Sequence, residues 1–133
     1  MGDLDLLGRA RELLDRRTAI TMLATTSASG LPEVCLLIAA NVTTDDQLSG
    51  GEEEGVSGEV FRNLRRSAKA SVLVLDPITD PRARDGVRLE VEFLGADADG
   101  VELGRLSHWL ETFAPGRKVV RRLLFKILKV SSY

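Results

Sequence analysis

The sequence has few of the residues on which most catalytic and metal sites depend. Its 133 residues include one cysteine, one histidine, one tryptophan and four prolines, and aromatic residues make up 5% of the chain. With a single cysteine, Cys35, the chain can form no internal disulfide bond and no multi-cysteine metal site, which fits a reducing compartment. No Ser–His–Asp arrangement, Walker loop, metal-ligand pair or GxGxxG motif is present. We therefore expect no metal site and no side chains for hydrolytic or acid–base catalysis.

The chain also lacks a strong charge of either sign and a long apolar run. Its formal net charge is −2, so no global field attracts nucleic acid or an anionic membrane. No apolar segment approaches the roughly 20 residues of a membrane helix. The first residues, MGDLDLLGRARELL, are amphipathic and acidic at the start, unlike a signal peptide. We expect a cytoplasmic protein of one domain, residues 1–133, with no nucleic-acid or membrane partner.

Three segments have the apolar spacing of amphipathic helices. The first runs from about Leu4 to Arg16, with Asp3 as a plausible N-cap. The second begins near Ser57, whose side chain could cap it, and precedes a break at residues 67–69. The third ends at Ala114-Pro115-Gly116. The apolar positions are Leu6, Leu7, Ala10, Leu13 and Leu14 in the first, Val56, Val60, Phe61 and Leu64 in the second, and Leu103, Leu106, Leu110 and Phe113 in the third.

Six segments have the composition of β-strands. Most of them follow one another without a helical crossover, so we expect a largely antiparallel sheet closed into a small barrel. The stretch Glu33–Ala40 is apolar throughout and is predicted to be a buried arm of a hairpin, whereas residues 41–54 are predicted to be mostly loop. The predicted strands are Thr18–Thr26, Glu33–Ala40, about Gln47–Ser49, Ala70–Leu75, Val87–Phe93 and Lys118–Val130.

A glycine-rich acidic segment, residues 50–58, comes just before the second helix. It could be a solvated, mobile loop or a cradle for an anionic ligand; its three consecutive glutamates, Glu52–Glu54, favour the solvated loop. A basic cluster follows, for which three hypotheses remain: it complements the helix dipole and neutralises Glu52–Glu54, it grips a phosphate, or it binds nucleic acid. The cluster consists of Arg62, Asn63, Arg65, Arg66 and Lys69.

Three single residues also have two interpretations each. His108 lies off the apolar stripe of its helix, which favours a surface position over a general base. Trp109 packs its helix on the barrel or fills a dimer interface, or else stacks on a cofactor. Cys35 has no histidine near it in sequence to activate it, which favours a small buried hydrophobe over a reactive thiol.

The order of elements resembles the pyridoxamine 5′-phosphate oxidase-like, FMN-binding split-barrel family. The resemblance covers roughly Arg16–Val130 and is carried by the segments ATTSASGLPEV, VFRNLRRSAKASVLVLDP, GVRLEVEFLGADADG and LLFKILKVSSY. It implies a mainly β fold with flanking helices, a six-stranded antiparallel split β-barrel of Greek-key type. Residues 1–16 would form the N-terminal helix and residues 17–133 the barrel with two further helices. It further implies a homodimer that binds FMN at its interface, as a flavin-dependent oxidoreductase.

The resemblance also implies a set of cofactor-binding residues. The backbone of Leu36, Leu37 and Ile38 would edge the flavin ring, and Trp109 would close the pocket. Residues around the phosphate would be Ser49, Gly50, Ser57, Gly58, Arg62 and Asn63. An alternative is a protein that has lost flavin and acts as a non-catalytic binding dimer, which the acidic run before the helix motivates. A third hypothesis, a deazaflavin or haem in the same cleft, has no positive sign in the sequence.

Overall fold

One antiparallel sheet of seven strands, with three helices against it, makes up the part of the chain described in the computed structural model. The described residues are 3–44, 47–55, 59–82, 84–98 and 100–132. The helices are α1 (Asp3–Leu14), α2 (Val60–Arg66) and α3 (Val101–Phe113). The strands are β1 (Ile20–Thr26), β2 (Pro32–Leu36), β3 (Ile38–Thr44), β4 (Gln47–Glu53), β5 (Lys69–Leu75), β6 (Val87–Asp97) and β7 (Val119–Ser132).

The strand order curls the sheet into a half-barrel. The order is β2-β1-β5-β6-β7-β4-β3, and every neighbouring pair is antiparallel. β2 and β3 therefore lie at opposite ends of this order, yet only Leu37 separates them in the chain. The Leu37 N–H donates to the Thr21 carbonyl of β1, 2.9 Å away, so this one residue joins the two edges. The prediction of a mainly β, antiparallel fold with flanking helices is confirmed.

The predicted number of strands, six, is wrong, because the expected single arm Glu33–Ala40 is divided at Leu37 into β2 and β3. Ala39, just past the break, has a φ of +50°. The expected burial of this arm is also wrong for β2, since the Val34 side chain is 61% exposed and Leu36 is exposed too. β2 is an edge strand with one covered face. Of the three residues Val34, Cys35 and Leu36, only Cys35 therefore points into the core.

The segment 41–54 was predicted to be mostly loop, but residues 41–44 belong to β3 and residues 47–53 to β4, which pair as antiparallel neighbours; residues 45 and 46 lie outside the described part of the chain. Gly50 and Gly51 lie inside β4, where neighbouring side chains approach the backbone. A methyl group on Gly50 would lie 3.1 Å from Leu37 Cβ, and one on Gly51 would lie 3.0 Å from Val119 Cγ1. These glycines therefore allow close packing at the β2–β3 junction. In the sequence they look like turn residues, so a glycine-containing strand here cannot be distinguished from a loop.

Each helix packs on the sheet with part of the apolar face that its spacing predicts. In α1, Leu6, Ala10 and Leu13 are buried in the same core cluster as the strand residues. α2 begins at Val60, with Glu59 at the N-cap position and no side-chain cap; Ser57, the predicted cap, lies outside the described residues. In α3, Leu103 and Leu110 pack with Val119 in a second cluster. That cluster holds α3 over the β3 end of the sheet.

Candidate functional site

A cavity of about 290 Å³ lies between α3 and the β2–β3 junction. Its floor is the junction itself, because the Gly50–Gly51 pair lets Leu37 and Ile38 lie close against β4. Its lining includes four of the predicted cofactor-binding residues, Leu36, Leu37, Ile38 and Trp109. The complete described lining is Ala19, Ile20, Thr21, Leu36, Leu37, Ile38, Ala39, Trp109, Leu110, Phe113, Ala114 and Arg117.

Two aromatic rings form the α3 wall of this cavity. Trp109 and Phe113 are one helical turn apart, and their ring centroids are 5.1 Å apart with planes inclined at 50°. Trp109 is 46% exposed and Phe113 is 65% exposed. The Phe113 side chain thus departs from the buried stripe expected from its spacing. Exposed rings beside an apolar wall can stack on a flat ligand or be covered by another protein surface.

Arg117 is the one charged side chain among the described lining residues. Its Nε and Nη2 donate to the two carboxylate oxygens of Glu53, in a two-bond pairing of planar groups. The hydrogen bonds from Arg117 lower the pKa of Glu53, and the same pairing raises the pKa of Arg117. Both groups are therefore charged at neutral pH, and together they are electrically neutral.

The acidic segment is not the solvated loop that its sequence indicates, at least for Glu52 and Glu53. Both are in β4, and they are only 3% and 7% exposed. Glu52 accepts a hydrogen bond from Arg121 Nη1 at 2.8 Å, and the Arg121 guanidinium lies 4.1 Å from the centroid of the Phe61 ring. Arginines at or just before β7 thus neutralise these glutamates, instead of the predicted basic cluster of α2.

The described members of the predicted phosphate-binding set lie outside the cavity lining. Ser49 and Gly50 are buried in β4, and Arg62 forms an exposed ion pair with Glu59 at 3.0 Å. Asn63 is buried, and its amide donates to Thr25 Oγ1 at 3.1 Å. The described members of this set do not line the cavity. Ser57 and Gly58, the remaining two, lie outside the described residues.

A smaller cavity of about 140 Å³ adjoins the first and shares five lining residues with it: Ala19, Thr21, Leu37, Ala39 and Trp109. It adds two arginines to the neighbourhood. Arg16 is held by Glu12 at 2.8 Å and Asp76 at 3.3 Å, whereas Arg17 is exposed. Sequence patterns did not indicate a role for Arg117 or Arg17, because neither residue belongs to a motif. Arg117 meets Glu53 only through a contact 64 residues away in the chain.

The two other single residues occupy the predicted environments. Cys35 is buried, and burial together with the Glu52 charge raises the pKa of its thiol to about 11. The thiol is thus protonated at neutral pH and a poor nucleophile. His108 is exposed. In the described ranges, no three His, Cys, Asp or Glu side chains are grouped to hold a metal ion.

None of the helices in the described part of the chain has the length and apolar character needed to cross a bilayer.

Solved structures with the same fold are found over nearly the whole chain. An FMN-binding protein from Syntrophomonas wolfei has a TM-score of 0.78 and 24% identity, covering 98% of this chain and 87% of that one. The HupZ protein of Group A Streptococcus has a TM-score of 0.70 and 15% identity, over 99% and 94% of the two chains. A Clostridium acetobutylicum protein of the pyridoxinephosphate oxidase family, related to general stress protein 26, has a TM-score of 0.67 and 15% identity, over 99% and 90%.

No protein-family model and no curated protein matches the sequence. The structural agreement nevertheless extends over the entire curled sheet and its helices. The chain therefore has the split-barrel fold of these solved structures, which include proteins of the pyridoxinephosphate oxidase family.

Proposed function

We propose that this protein is an FMN-binding flavoprotein of oxidoreductase type, which holds the flavin ring in the cavity between α3 and the β2–β3 junction. The observation that carries the proposal is the cavity itself, with the Leu36–Ile38 segment on one side and the rings of Trp109 and Phe113 on the other. A relative of the same fold, the Syntrophomonas wolfei protein, is described as FMN-binding. We also propose a cytoplasmic location, because Cys35 is a free thiol.

The described residues fit the ring end of FMN. The walls of the cavity are mostly apolar, and an apolar cavity with few polar groups is typical of a small-molecule site. FMN would supply the electron or hydride transfer, and the chain would bind and orient it. Leu36, Leu37 and Ile38 would edge the ring, while Trp109 and Phe113 would cover it and exclude water. The described lining includes no His, Asp, Glu, Lys, Cys or Tyr to act as a general acid or base, in line with a reaction carried by the cofactor.

We further propose that two copies of the chain complete the site as a homodimer. The cavity of one copy, about 290 Å³, is at the lower end of the range of ligand pockets, roughly 300–1,000 Å³. The outward side of β2 and β1 carries apolar residues that pair across the strands, Leu36 opposite Met22 and Val34 opposite Ala24. Since this surface borders the cavity at Leu36, a second copy seated on it would also enclose the flavin.

The function is tested by purifying the protein and recording its visible spectrum before and after gel filtration with added FMN. Flavin absorbance that remains with the protein supports the proposal. Trp109→Ala should weaken FMN binding about tenfold, as loss of one stacking contact does. Val101→Ala is the matched control, because Val101 is exposed on the same helix and outside the cavity. Equal binding by both variants would contradict a ring site at Trp109.

The predicted phosphate contact of Arg62 has its own variant. Arg62→Ala should lower FMN retention if the side chain reaches the phosphate, and unchanged retention would rule out that role.

A binding dimer without flavin is the second candidate function. It is favoured by the charges near the cavity, since Arg117 is paired with Glu53 and Glu52 is buried close to the same region. A colourless protein that leaves the fluorescence of added FMN unchanged would support this candidate and overturn the first.

A further inference from the structure

The Glu53–Arg117 pair determines what the cavity offers to a charged ligand. Arg117 is the cation of the described lining, and two of its three nitrogens already donate to Glu53. Glu53 is 7% exposed, at the end of β4. A phosphate that took these donors would leave the Glu53 carboxylate poorly solvated and without this partner. Arg117 is the more exposed partner, with 46% of its side chain accessible, but withdrawing its donors from the buried Glu53 carboxylate is costly, so a phosphate gains little by taking them.

The other arginines near the cavity differ in how far they are engaged. Arg16 is held by Glu12 and Asp76. Arg17 lines the adjoining cavity and is outside the first. The cavity between α3 and the β2–β3 junction therefore presents a mostly apolar surface with a neutralised cation at its side. Such a surface favours the uncharged aromatic end of a ligand over its anionic end.

We propose that Glu53, by holding Arg117, makes this cavity select the uncharged flat ring of its ligand, so that the anionic tail adds little affinity. Glu53 is thus a specificity-determining residue that acts through Arg117. The inference rests on the proposed flavin site and deepens it. The ligand class is a flat, uncharged, conjugated ring system, for which riboflavin and FMN are matched probes that differ by the phosphate.

The test is the ratio of the dissociation constants of riboflavin and FMN, measured by quenching of flavin fluorescence at neutral pH. For the unchanged protein we expect the two constants to agree within about threefold. In Glu53→Gln, which keeps the shape of the side chain but removes its charge, Arg117 becomes available to the phosphate. FMN should then bind about tenfold more tightly than riboflavin, as one charge-assisted hydrogen bond gives.

Two control variants isolate the pair. Glu53→Gln combined with Arg117→Gln should return the ratio to that of the unchanged protein, because the freed cation is gone. Glu102→Gln removes the carboxylate of the exposed Arg105 pair, which is not part of the cavity lining, and should leave the ratio as it was. Thermal melting of each variant establishes that it is folded.

Several results would overturn the inference. The first is a tenfold preference for FMN over riboflavin in the unchanged protein. If Arg17→Gln abolished that preference, the phosphate would bind in the adjoining cavity. The second is a ratio that Glu53→Gln does not raise. In both cases flavin still binds and the proposed function stands. If neither flavin binds the unchanged protein, the proposed function fails and the inference fails with it.

Discussion

At the scale of single residues, Asp76 shows how a buried carboxylate is kept charged. Its side chain is buried at the end of β5 and accepts hydrogen bonds from the Thr18 hydroxyl at 2.7 Å, the Thr79 hydroxyl and backbone N–H, and Arg16. The bond from Thr18, followed by that from Thr79, holds the pKa of Asp76 far below its ordinary value. These bonds tie the start of β1 to the turn after β5.

Asp76→Asn should lower the melting temperature by several degrees at pH 7, because an amide cannot accept all of these bonds as a carboxylate does. Because the pKa of Asp76 is lowered in the folded state, the contribution of its carboxylate to stability is complete above the pKa of an unfolded Asp, near 4. It is lost as pH falls through the folded value. The difference in melting temperature between the unchanged protein and Asp76→Asn should therefore narrow below about pH 4.

Asp15→Asn is the control for this experiment, since Asp15 is exposed. The measurement is thermal unfolding followed by circular dichroism from pH 7 down to pH 3. A constant difference across that range would show that the carboxylate charge is not what stabilises this turn.

At the scale of elements, the geometry of the cavity depends on how closely β3 approaches β4. The break between β2 and β3 at Leu37 places Leu37 over Gly50 and Ile38 over Gly51. Val119, in the strand β7 on the other side of β4, also lies close to Gly51. Any side chain here would push the junction outward. Two small residues in β4 thus decide where the floor of the cavity lies.

Gly51→Ala should destabilise the protein by about 1–3 kcal/mol, since the added methyl would be 3.0 Å from Val119 Cγ1. The proposed flavin binding should weaken as well, because Ile38 would be displaced. Gly104→Ala in α3 is the matched change: no neighbouring atom lies within 4 Å of the added methyl. Alanine in a helix interior should stabilise by about 0.5–1 kcal/mol. Urea denaturation measures the free energy of unfolding of both variants. Equal effects of the two substitutions would contradict the close approach of Val119 to Gly51.

At the scale of the whole molecule, the outward face of β2 and β1 leaves apolar side chains in contact with solvent. Val34 and Leu36 are exposed there, and Leu31 lies just before β2. An edge strand with an apolar outer face is a ready surface for a second copy. This is the surface on which the proposed homodimer depends.

Val34→Lys should convert the dimer to a monomer and lower flavin retention at the same time, because the second copy would complete the site. Light scattering after gel filtration measures the mass. Ile78→Lys is the control, since Ile78 is also well exposed but lies in the turn after β5. A monomer for the unchanged protein would refute the homodimer, and a dimer that survives Val34→Lys would place its interface elsewhere.

Local periodicity was enough to determine the helices and most strands. Leu6, Ala10 and Leu13 in α1 and the alternation along β6 gave their buried faces directly, because spacing along a chain reports which side of an element is covered. The split-barrel architecture also followed from the order of elements. The backbone of Leu36–Ile38 and Trp109 could be linked to one site because the resemblance to a known fold placed them there.

Tertiary structure alone decided the break at Leu37, the role of Gly50 and Gly51, and the burial of Glu52 and Glu53. In sequence, two glycines and three glutamates have the composition of a loop. In the fold they lie beside β7, where Arg121 and Arg117 supply the charges that make burial of the two glutamates possible. These arginines are more than 60 residues away in the chain, and no local pattern contains the partners that a residue will meet across a sheet.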